Sequence, residues 1–275
     1  MSKIVWLDAG HGGKDSGAAA NGIKEKDIVL KIVKKIKSIL TSSYEGITVK
    51  LTRDSDVFYE LIDRARKANA AKADLFVSVH INSAANTNAE GFETFRYEKV
   101  SASSTTGKQQ KVLHDAIYKH IKKYGVKDRG ERAANLSVLR NTSMSAVLTE
   151  NLFISNKDEA ALLKKDSFLN DVAEGHAEGI AEILNLKKKS GGSAPKKEDK
   201  PKTSGKTKMV VVKDNSDGWL WTYDKADWKA KYKKVKPGEA FTIDKTVTVS
   251  GSKMYKLKSG LYITAASKYV SVKEV

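Results

Sequence analysis

The chain has 275 residues, no cysteine, and 50 Lys and Arg against 33 Asp and Glu, a formal net charge of +17. Without cysteine there are no disulfides, thiolate nucleophiles or Cys-based zinc fingers, so any metal must be held by His, Asp or Glu. Apolar residues make up 40% and charged residues 30%, which excludes a low-hydrophobicity disordered chain, and no run approaches the roughly 18 apolar residues of a membrane-spanning helix.

Strand-like and helix-like segments alternate over 1–186. Lys3–Leu7 is a short apolar run that leads into Asp8-Ala-Gly-His-Gly-Gly13. It starts at once, without the long apolar core and small-residue cleavage site of a secretory signal. Glu25–Leu40 sets Ile28, Ile32, Val33, Ile36, Ile39 and Leu40 at helical spacing, with Lys on the other face. Ile47–Thr52 reads as a strand, Tyr59–Lys72 as a helix, and Asp74–Ile81 and Gly91–Tyr97 as strands. Lys108–Tyr124 reads as a helix, Ser137–Leu139 and Ala146–Phe153 as strands, and Lys157–Leu163 and Ser167–Leu184 as helices. This order predicts an α/β domain: a mostly parallel sheet flanked by helices on both faces, with function beyond the C-terminal strand ends.

Residues 187–206 are rich in Lys, Pro, Gly and Ser, with nothing large and apolar to bury, and are expected to be a solvated linker. In 207–275 the texture changes again. Nine of the chain's aromatics fall here, among five or so short strands punctuated by Asp217-Gly218, Pro237-Gly238 and Ser259-Gly260. A small all-β barrel is expected, with at least half of those aromatics in its core. From Lys187 onward the chain carries 22 Lys, no Arg and 9 acidic residues. Such a segment seeks a polyanion: nucleic acid, anionic membrane or an anionic wall polymer.

Two of the five histidines stand out by position. His11 lies in the glycine-flanked turn after the first strand, and His80 ends the apolar strand Leu75–Ile81, so a parallel sheet brings both to one edge. Two imidazoles there suggest a zinc site whose third ligand is a carboxylate or another His. Glu25, opening the first long helix, is placed for it. Glu150, inside the apolar Val147–Phe153, is a charge too costly to bury unless paired or functional. Each residue taken alone has a structural alternative: a strand-end histidine, a helix-start carboxylate favoured by the dipole, a buried ion-pair partner. His114, His120 and His176 are read as surface or structural. Asn82 and Asn135 have the chemistry to touch a glycan, though nothing demands it.

Several segments carry a resemblance in order and spacing across 4–184: Leu7-Asp-Ala-Gly-His-Gly-Gly-Lys-Asp-Ser-Gly17, Gly22-Ile-Lys-Glu-Lys-Asp27, Leu51-Thr-Arg-Asp54, Leu61-Ile-Asp-Arg-Ala-Arg-Lys-Ala-Asn69, Ala73-Asp-Leu-Phe-Val-Ser-Val-His-Ile-Asn-Ser83 and Val147-Leu-Thr-Glu-Asn-Leu-Phe-Ile-Ser-Asn156. The chain resembles the zinc-dependent N-acetylmuramoyl-L-alanine amidases of the amidase 3 group, departing at Ser145, where proline is common. The resemblance implies one zinc ion on His11, Glu25 and His80, Glu150 as the catalytic carboxylate, and cleavage of the amide joining N-acetylmuramic acid to L-alanine in peptidoglycan. Arg140, just upstream of the Glu150 strand, is a candidate for steadying a substrate carboxylate. Gly260-Leu-Tyr-Ile-Thr264 and Lys268-Tyr-Val-Ser-Val272 resemble bacterial Src-homology-3-like wall-binding modules.

The resemblance therefore implies a monomeric endolysin-type hydrolase with peptidoglycan and an anionic wall polymer as partners, without membrane insertion and, given no secretory signal, expected in the host cytoplasm until release to the wall. A zinc peptidase cutting stem-peptide bonds and a host autolysin of the same fold are the alternatives. A nucleic-acid-binding protein would account for the charge but not for His11, Glu25, His80 and Glu150 together.

Overall fold

The computed structural model describes residues 2–189, 208–258 and 260–274. The chain divides into two compact units, Met1–Lys196 and Lys197–Val275. In the first, the elements run β1 (Lys3–Ala9), β2 (Ala19–Ala20), β3 (Ile23–Lys24), α1 (Glu25–Ser43), β4 (Ile47–Leu51), α2 (Leu61–Ala70), β5 (Leu75–Asn82), β6 (Phe92–Tyr97), α3 (Thr105–Ile121), β7 (Asp128–Ala134), α4 (Ser137–Arg140), β8 (Ser145–Phe153), α5 (Lys157–Leu163) and α6 (Asp166–Ile183).

Six strands form one sheet in the order β4-β1-β5-β8-β6-β7. All neighbours are parallel except β6, which runs antiparallel to β8. Alternation along the strands sends side chains to two different cores. Val5, Leu7, Val77, Val79 and Val147 enter the larger core, with the buried stripe Ile28, Val29, Ile32, Val33, Ile36 and Leu40 of α1 and with Ile117, Phe168 and Val172 from α3 and α6. Burying each such side chain is worth about 1.5–3 kcal/mol. Trp6, Phe76 and Leu148 enter a smaller core against Ala68 of α2 and Val138 and Leu139 of α4.

Two elements differ from expectation. Ser137–Arg140 is a short helix, not a strand: the N–H groups of Arg140 and Asn141 turn back to the carbonyls of Leu136 and Ser137. Four residues are too few for periodicity to tell a helical turn from a strand. Conversely, β7 is a strand that hydrophobic patterning does not announce. Its sequence DRGERAA is polar and largely exposed, and at the end of the sheet it pairs with β6 alone.

The expected linker lies outside the described residues from position 190 onward. Its first residues are tied to the end of α1: the N–H of Glu45 donates to the Lys187 carbonyl (2.9 Å), and the N–H of Lys189 donates to that of Ser43 (3.0 Å).

In the second unit, β9 (Lys208–Val212), β10 (Leu220–Tyr223), β11 (Lys231–Val235), β12 (Ala240–Val249), β13 (Ser252–Leu257), β14 (Tyr262–Thr264) and β15 (Val270–Glu274) form one antiparallel sheet, ordered β11-β10-β14-β13-β12-β9-β15. Among the described residues there are thus seven strands rather than five or so. The core is aliphatic, built from Val210, Val212, Val235, Leu257, Ile263 and Val270. This corrects the expectation that aromatics fill it. None of the nine is fully buried; Phe241, Tyr255 and Tyr269 pack at the core's margin, and Tyr232 is 62% exposed.

Candidate metal centre and catalytic carboxylate

His11 sits in the turn after β1 with φ 59°, in the left-handed region that non-glycine residues rarely adopt. The conformation is held from several sides. Gly12 and Asp15 exchange backbone hydrogen bonds (2.8 and 3.1 Å), and Arg64 Nη2 donates to the His11 carbonyl (2.8 Å). Two buried arginines fix the segment before it. Arg53 donates to the carbonyls of Ala9 (3.0 Å), Gly10 (2.8 Å) and Lys26 (2.8 Å). Arg64 donates to the Ala9 carbonyl (2.9 Å) and pairs with the fully buried Asp8 (3.0 Å), which also accepts from Ser78 Oγ (2.8 Å).

The strand ends bring the predicted residues together. Donor atoms of His11, Glu25 and His80 all lie within 4.8 Å of one another. One Glu25 oxygen is 3.0 Å from His80 Nδ1 and the other 3.1 Å from His11 Nε2, with the two rings edge to face at 5.0 Å. Glu25 opens α1, where the helix dipole favours a carboxylate, and accepts from the backbone N–H groups of Ile81 (3.0 Å) and Ala18 (2.9 Å). Burial would raise the Glu25 carboxyl, but hydrogen bonds and charge from His11 and His80 hold it well below the usual carboxylate range. Burial likewise pulls His11 down, and the carboxylates of Glu25 and Asp15 more than reverse this.

Two glycines are required by close approach. A Cβ on Gly10 would lie 2.4 Å from the His80 ring, and one on Gly17 would lie 2.6 Å from Glu25 Oε2. Behind the donors, His11 Nδ1–H donates to Asp15 Oδ2 (2.8 Å), while Asp15 Oδ1 accepts from the N–H of Gly17 (2.9 Å). This fixes the tautomer that leaves His11 Nε2 free to ligate. Two imidazoles and one carboxylate, all neutral or anionic donors and held from behind, fit a catalytic zinc ion with a position to spare.

Glu150 is the register partner of His80 on one side and of Glu93 on the other. The three carboxylates differ in company. Glu25 faces two imidazoles. Glu93 faces the guanidinium groups of Arg129 (3.1 Å) and Arg132 (2.6 Å) and accepts from Asn82 Nδ2 (2.7 Å). Glu150 has no cation, and its Oε2 is buried without a hydrogen-bond partner among the described residues. Burial first, then the charges of Glu25 and Glu93, push its carboxyl well above the usual range. An uncompensated carboxyl of this kind beside a donor cluster makes Glu150 a candidate functional group, and no structural ion pair of its own is found among the described residues.

A cleft of about 420 Å³ adjoins the centre, lined by His11 and His80 and by the apolar walls Phe58, Leu61, Leu136 and Val138. Leu61 is 56% exposed. Arg140 is not brought to this cleft. It ends α4, not a strand, is exposed, and donates to Asn135 Oδ1. Asn82 and Asn135 are thus both engaged within the protein.

The remaining histidines are structural. His114 is buried between Thr94 and Asp128 (3.2 and 3.0 Å), and His120 pairs with Glu178 (2.7 Å). His176 is fully buried, not part of a polar surface. A second cluster, His120 with Asp171 and Glu174, is already engaged, since Asp171 holds Lys123 Nζ at 2.7 Å. Asp8, Asp15, Arg53 and Arg64 were not singled out as site residues from sequence. Their only signal was membership in the matched segments, because their contacts span up to 70 residues of chain.

Comparison with known proteins agrees with this geometry. Residues 5–182 match the N-acetylmuramoyl-L-alanine amidase family, and residues 203–270 match a domain of unknown function, DUF5776. The chain is 87% identical over 274 residues to an endolysin of Bacillus phage SPP1, covering 100% of each. It is 42% identical over 186 residues to the sporulation-specific N-acetylmuramoyl-L-alanine amidase of Bacillus subtilis, covering 68% of this chain and 70% of that one. Among solved structures, the catalytic domain of the amidase CwlV from Bacillus (Paenibacillus) polymyxa superposes with a TM-score of 0.63 at 39% identity, covering 67% of this chain and 99% of that one. The matched segment includes His11, Glu25, His80 and Glu150, and the chain belongs to the N-acetylmuramoyl-L-alanine amidase family.

Proposed function

We propose that the chain is an endolysin-type peptidoglycan hydrolase that cleaves the amide between N-acetylmuramic acid and L-alanine, using one zinc ion held by His11, Glu25 and His80. The observation that carries this reading is the uncompensated Glu150 carboxylate in direct register with His80, beside a three-donor cluster. Bound zinc supplies Lewis acidity, which acidifies water and polarises a carbonyl oxygen. The protein's own groups do the rest. Glu150 takes a proton from the attacking water as its oxygen bonds to the lactyl carbonyl carbon. When the C–N bond breaks, Glu150 gives that proton to the departing alanine nitrogen. Asp15 keeps His11 oriented, and Phe58, Leu61 and Val138 offer apolar walls for the lactyl and alanine methyl groups.

Residues 1–186 form the catalytic domain in this reading, extended by the tied Lys187–Lys189, and 207–275 anchor the enzyme to the wall. The likeness to a phage endolysin along the full chain favours release to the wall at lysis over a host autolysin. No helix among the described residues is long and apolar enough to cross a membrane. Arg140 enters only as an outlying cation.

Product analysis of digested walls tests the proposal. New N-terminal L-alanine with intact glycan chains is expected. Chelation, or His80→Ala, should abolish the activity, and zinc should restore it to the chelated wild type alone. Release of internal stem-peptide ends instead would identify a zinc peptidase and overturn the reading.

A further inference from the structure

The second unit carries a cluster that the catalytic reading does not use. The segment 229–236 holds Lys229, Lys231, Lys233, Lys234 and Lys236 and no carboxylate. Residues 231–234 are all exposed, and none of the five lysines joins a salt bridge among the described residues, unlike Lys208 and Lys256 of the same unit. β11 ends the sheet order and pairs with β10 alone.

Lysines on an edge strand are one ordinary way to keep that edge from pairing with another chain. That purpose needs no fixed geometry, yet geometry is present. Trp221 lies opposite Lys234 in the β10–β11 register. Lys234 Nζ sits 3.6 Å from the centre of the Trp219 ring and 5.4 Å from that of Trp221, and Lys231 Nζ lies 5.7 Å from Trp221. The two indoles meet edge to face at 5.4 Å. The ring quadrupoles hold the ammonium groups in place, so binding an anion costs less side-chain freedom than on free lysines.

We infer that the β10–β11 edge, with Lys231 and Lys234 seated beside Trp219 and Trp221 and Lys233 exposed on the same strand, is the binding site of the second unit for a polyol-phosphate polymer of the cell wall. The inference rests on the wall-anchoring role proposed above and names its ligand class and its residues. Charge complementarity carries the choice: an unpaired row of cations meets a polymer with one phosphodiester per repeat. Lys231, Lys233 and Lys234 fall within about 10 Å along β11, a span over which a three-carbon polyol phosphate places more than one charge. Single-stranded nucleic acid fits less well, because it needs open aromatic faces for its bases, whereas Lys234 covers that of Trp219.

The test uses the full chain in chelator, so that walls stay intact, and measures retention on purified walls across a salt series. The triple variant K231Q/K233Q/K234Q should lose retention about tenfold at low salt and show a flatter salt dependence. With zinc restored, its turnover of soluble muropeptide should match wild type. The control K245Q/K253Q/K268Q removes the same charge elsewhere in the unit and should change retention little. Soluble polyglycerol phosphate should compete with walls, and acid-extracted walls, which keep peptidoglycan but lose phosphate polymer, should retain the wild type poorly. Equal losses in both triple variants would mean that net charge acts without a site, and no loss in the first would exclude this face; either overturns the inference. Full retention on extracted walls would overturn the ligand class. An oligonucleotide competing better than polyglycerol phosphate at equal phosphate would make the face a nucleic-acid site and overturn the choice. Absence of wild-type retention on native walls at every salt would instead refute the anchoring role itself.

Discussion

The two faces of the catalytic sheet differ in what covers them. One is packed by α1, α3 and α6, helices of 19, 17 and 18 residues, around the larger core. The other is covered by α2 and α4, of 10 and 4 residues, over a much smaller core. Asp8, Ser78, His80 and Glu150 alternate with core residues of the thick side, so they face the thin one, where short helices leave the strand ends open to the cleft. The larger core lies on one face and the proposed catalytic groups on the other. Substitutions should therefore separate into those that unfold the protein and those that silence it.

The largest effect tests the thick side. Phe168 is fully buried and meets Tyr124 edge to face. Phe168→Ala should cost about 3–5 kcal/mol of stability, read as a fall in denaturation midpoint, while activity per folded molecule stays near wild type. A variant that keeps its midpoint but loses turnover would collapse the division between faces.

Glu150→Gln is the converse. The amide keeps size and hydrogen bonding but accepts no proton, so kcat should fall by roughly 10²-fold or more, with zinc still bound. In the zinc-free protein the substitution removes a carboxylate that has no cation beside Glu25 and Glu93. Its Tm should hold or rise by a few degrees, which scanning calorimetry will report. A fall in Tm would mean that Glu150 is a structural partner.

Asp15 probes the layer behind the donors. Asp15→Ala removes the acceptor of both His11 Nδ1–H and the Gly17 N–H, and zinc affinity should weaken by about 10–100-fold. Asp15→Asn keeps an acceptor and should lose less. Equal zinc affinity in all three proteins by competition with a chelator would exclude a positioning role.

The contrast between faces also explains what was legible. His11, Glu25, His80 and Glu150 each stand at a place with its own sequence sign: a glycine-flanked turn, a helix start, a strand end, a charge in an apolar run. The strong periodicity of α1 and the apolar run of β5 announced the thick side. The thin side was harder to read. α4 is a single turn whose Val138 and Leu139 suit either a strand or a helix. β7 shows no apolar alternation; it is fixed by pairing with β6 and by polar contacts from α3. Arg53 and Arg64 look like solvent charges until distant carbonyls of the His11 turn fold onto them. In the second unit, an aromatic-rich sequence suggested an aromatic core, but aliphatic residues suffice to fill one and the rings stay at its margin.

The smallest effect concerns a histidine on the thick side. His176 Nδ1–H donates to the Val172 carbonyl (2.8 Å), so Nε2 is the acceptor for Thr149 Oγ1–H (3.0 Å). Both nitrogens are satisfied only in the neutral ring. Burial lowers its pKa to about 4, partly offset by the Val172 carbonyl. Since the folded pKa lies below the unfolded value near 6.5, only the unfolded chain takes up the proton between these limits, and stability falls as pH drops from about 6.5 towards 4. Between pH 7 and 5.5 the loss from this one group is about 1 kcal/mol, or roughly 2–4 °C in Tm for a unit of this size. His11 acts in the opposite sense in the zinc-free protein, because its raised pKa favours the folded state at low pH. The two are separated by comparing slopes. His176→Gln should lower Tm at every pH, yet the difference from wild type should narrow on acidification. A gap that stays constant from pH 7 to 5.5 would show that His176 charges as readily folded as unfolded, and that the thick side is not closed to water at this position.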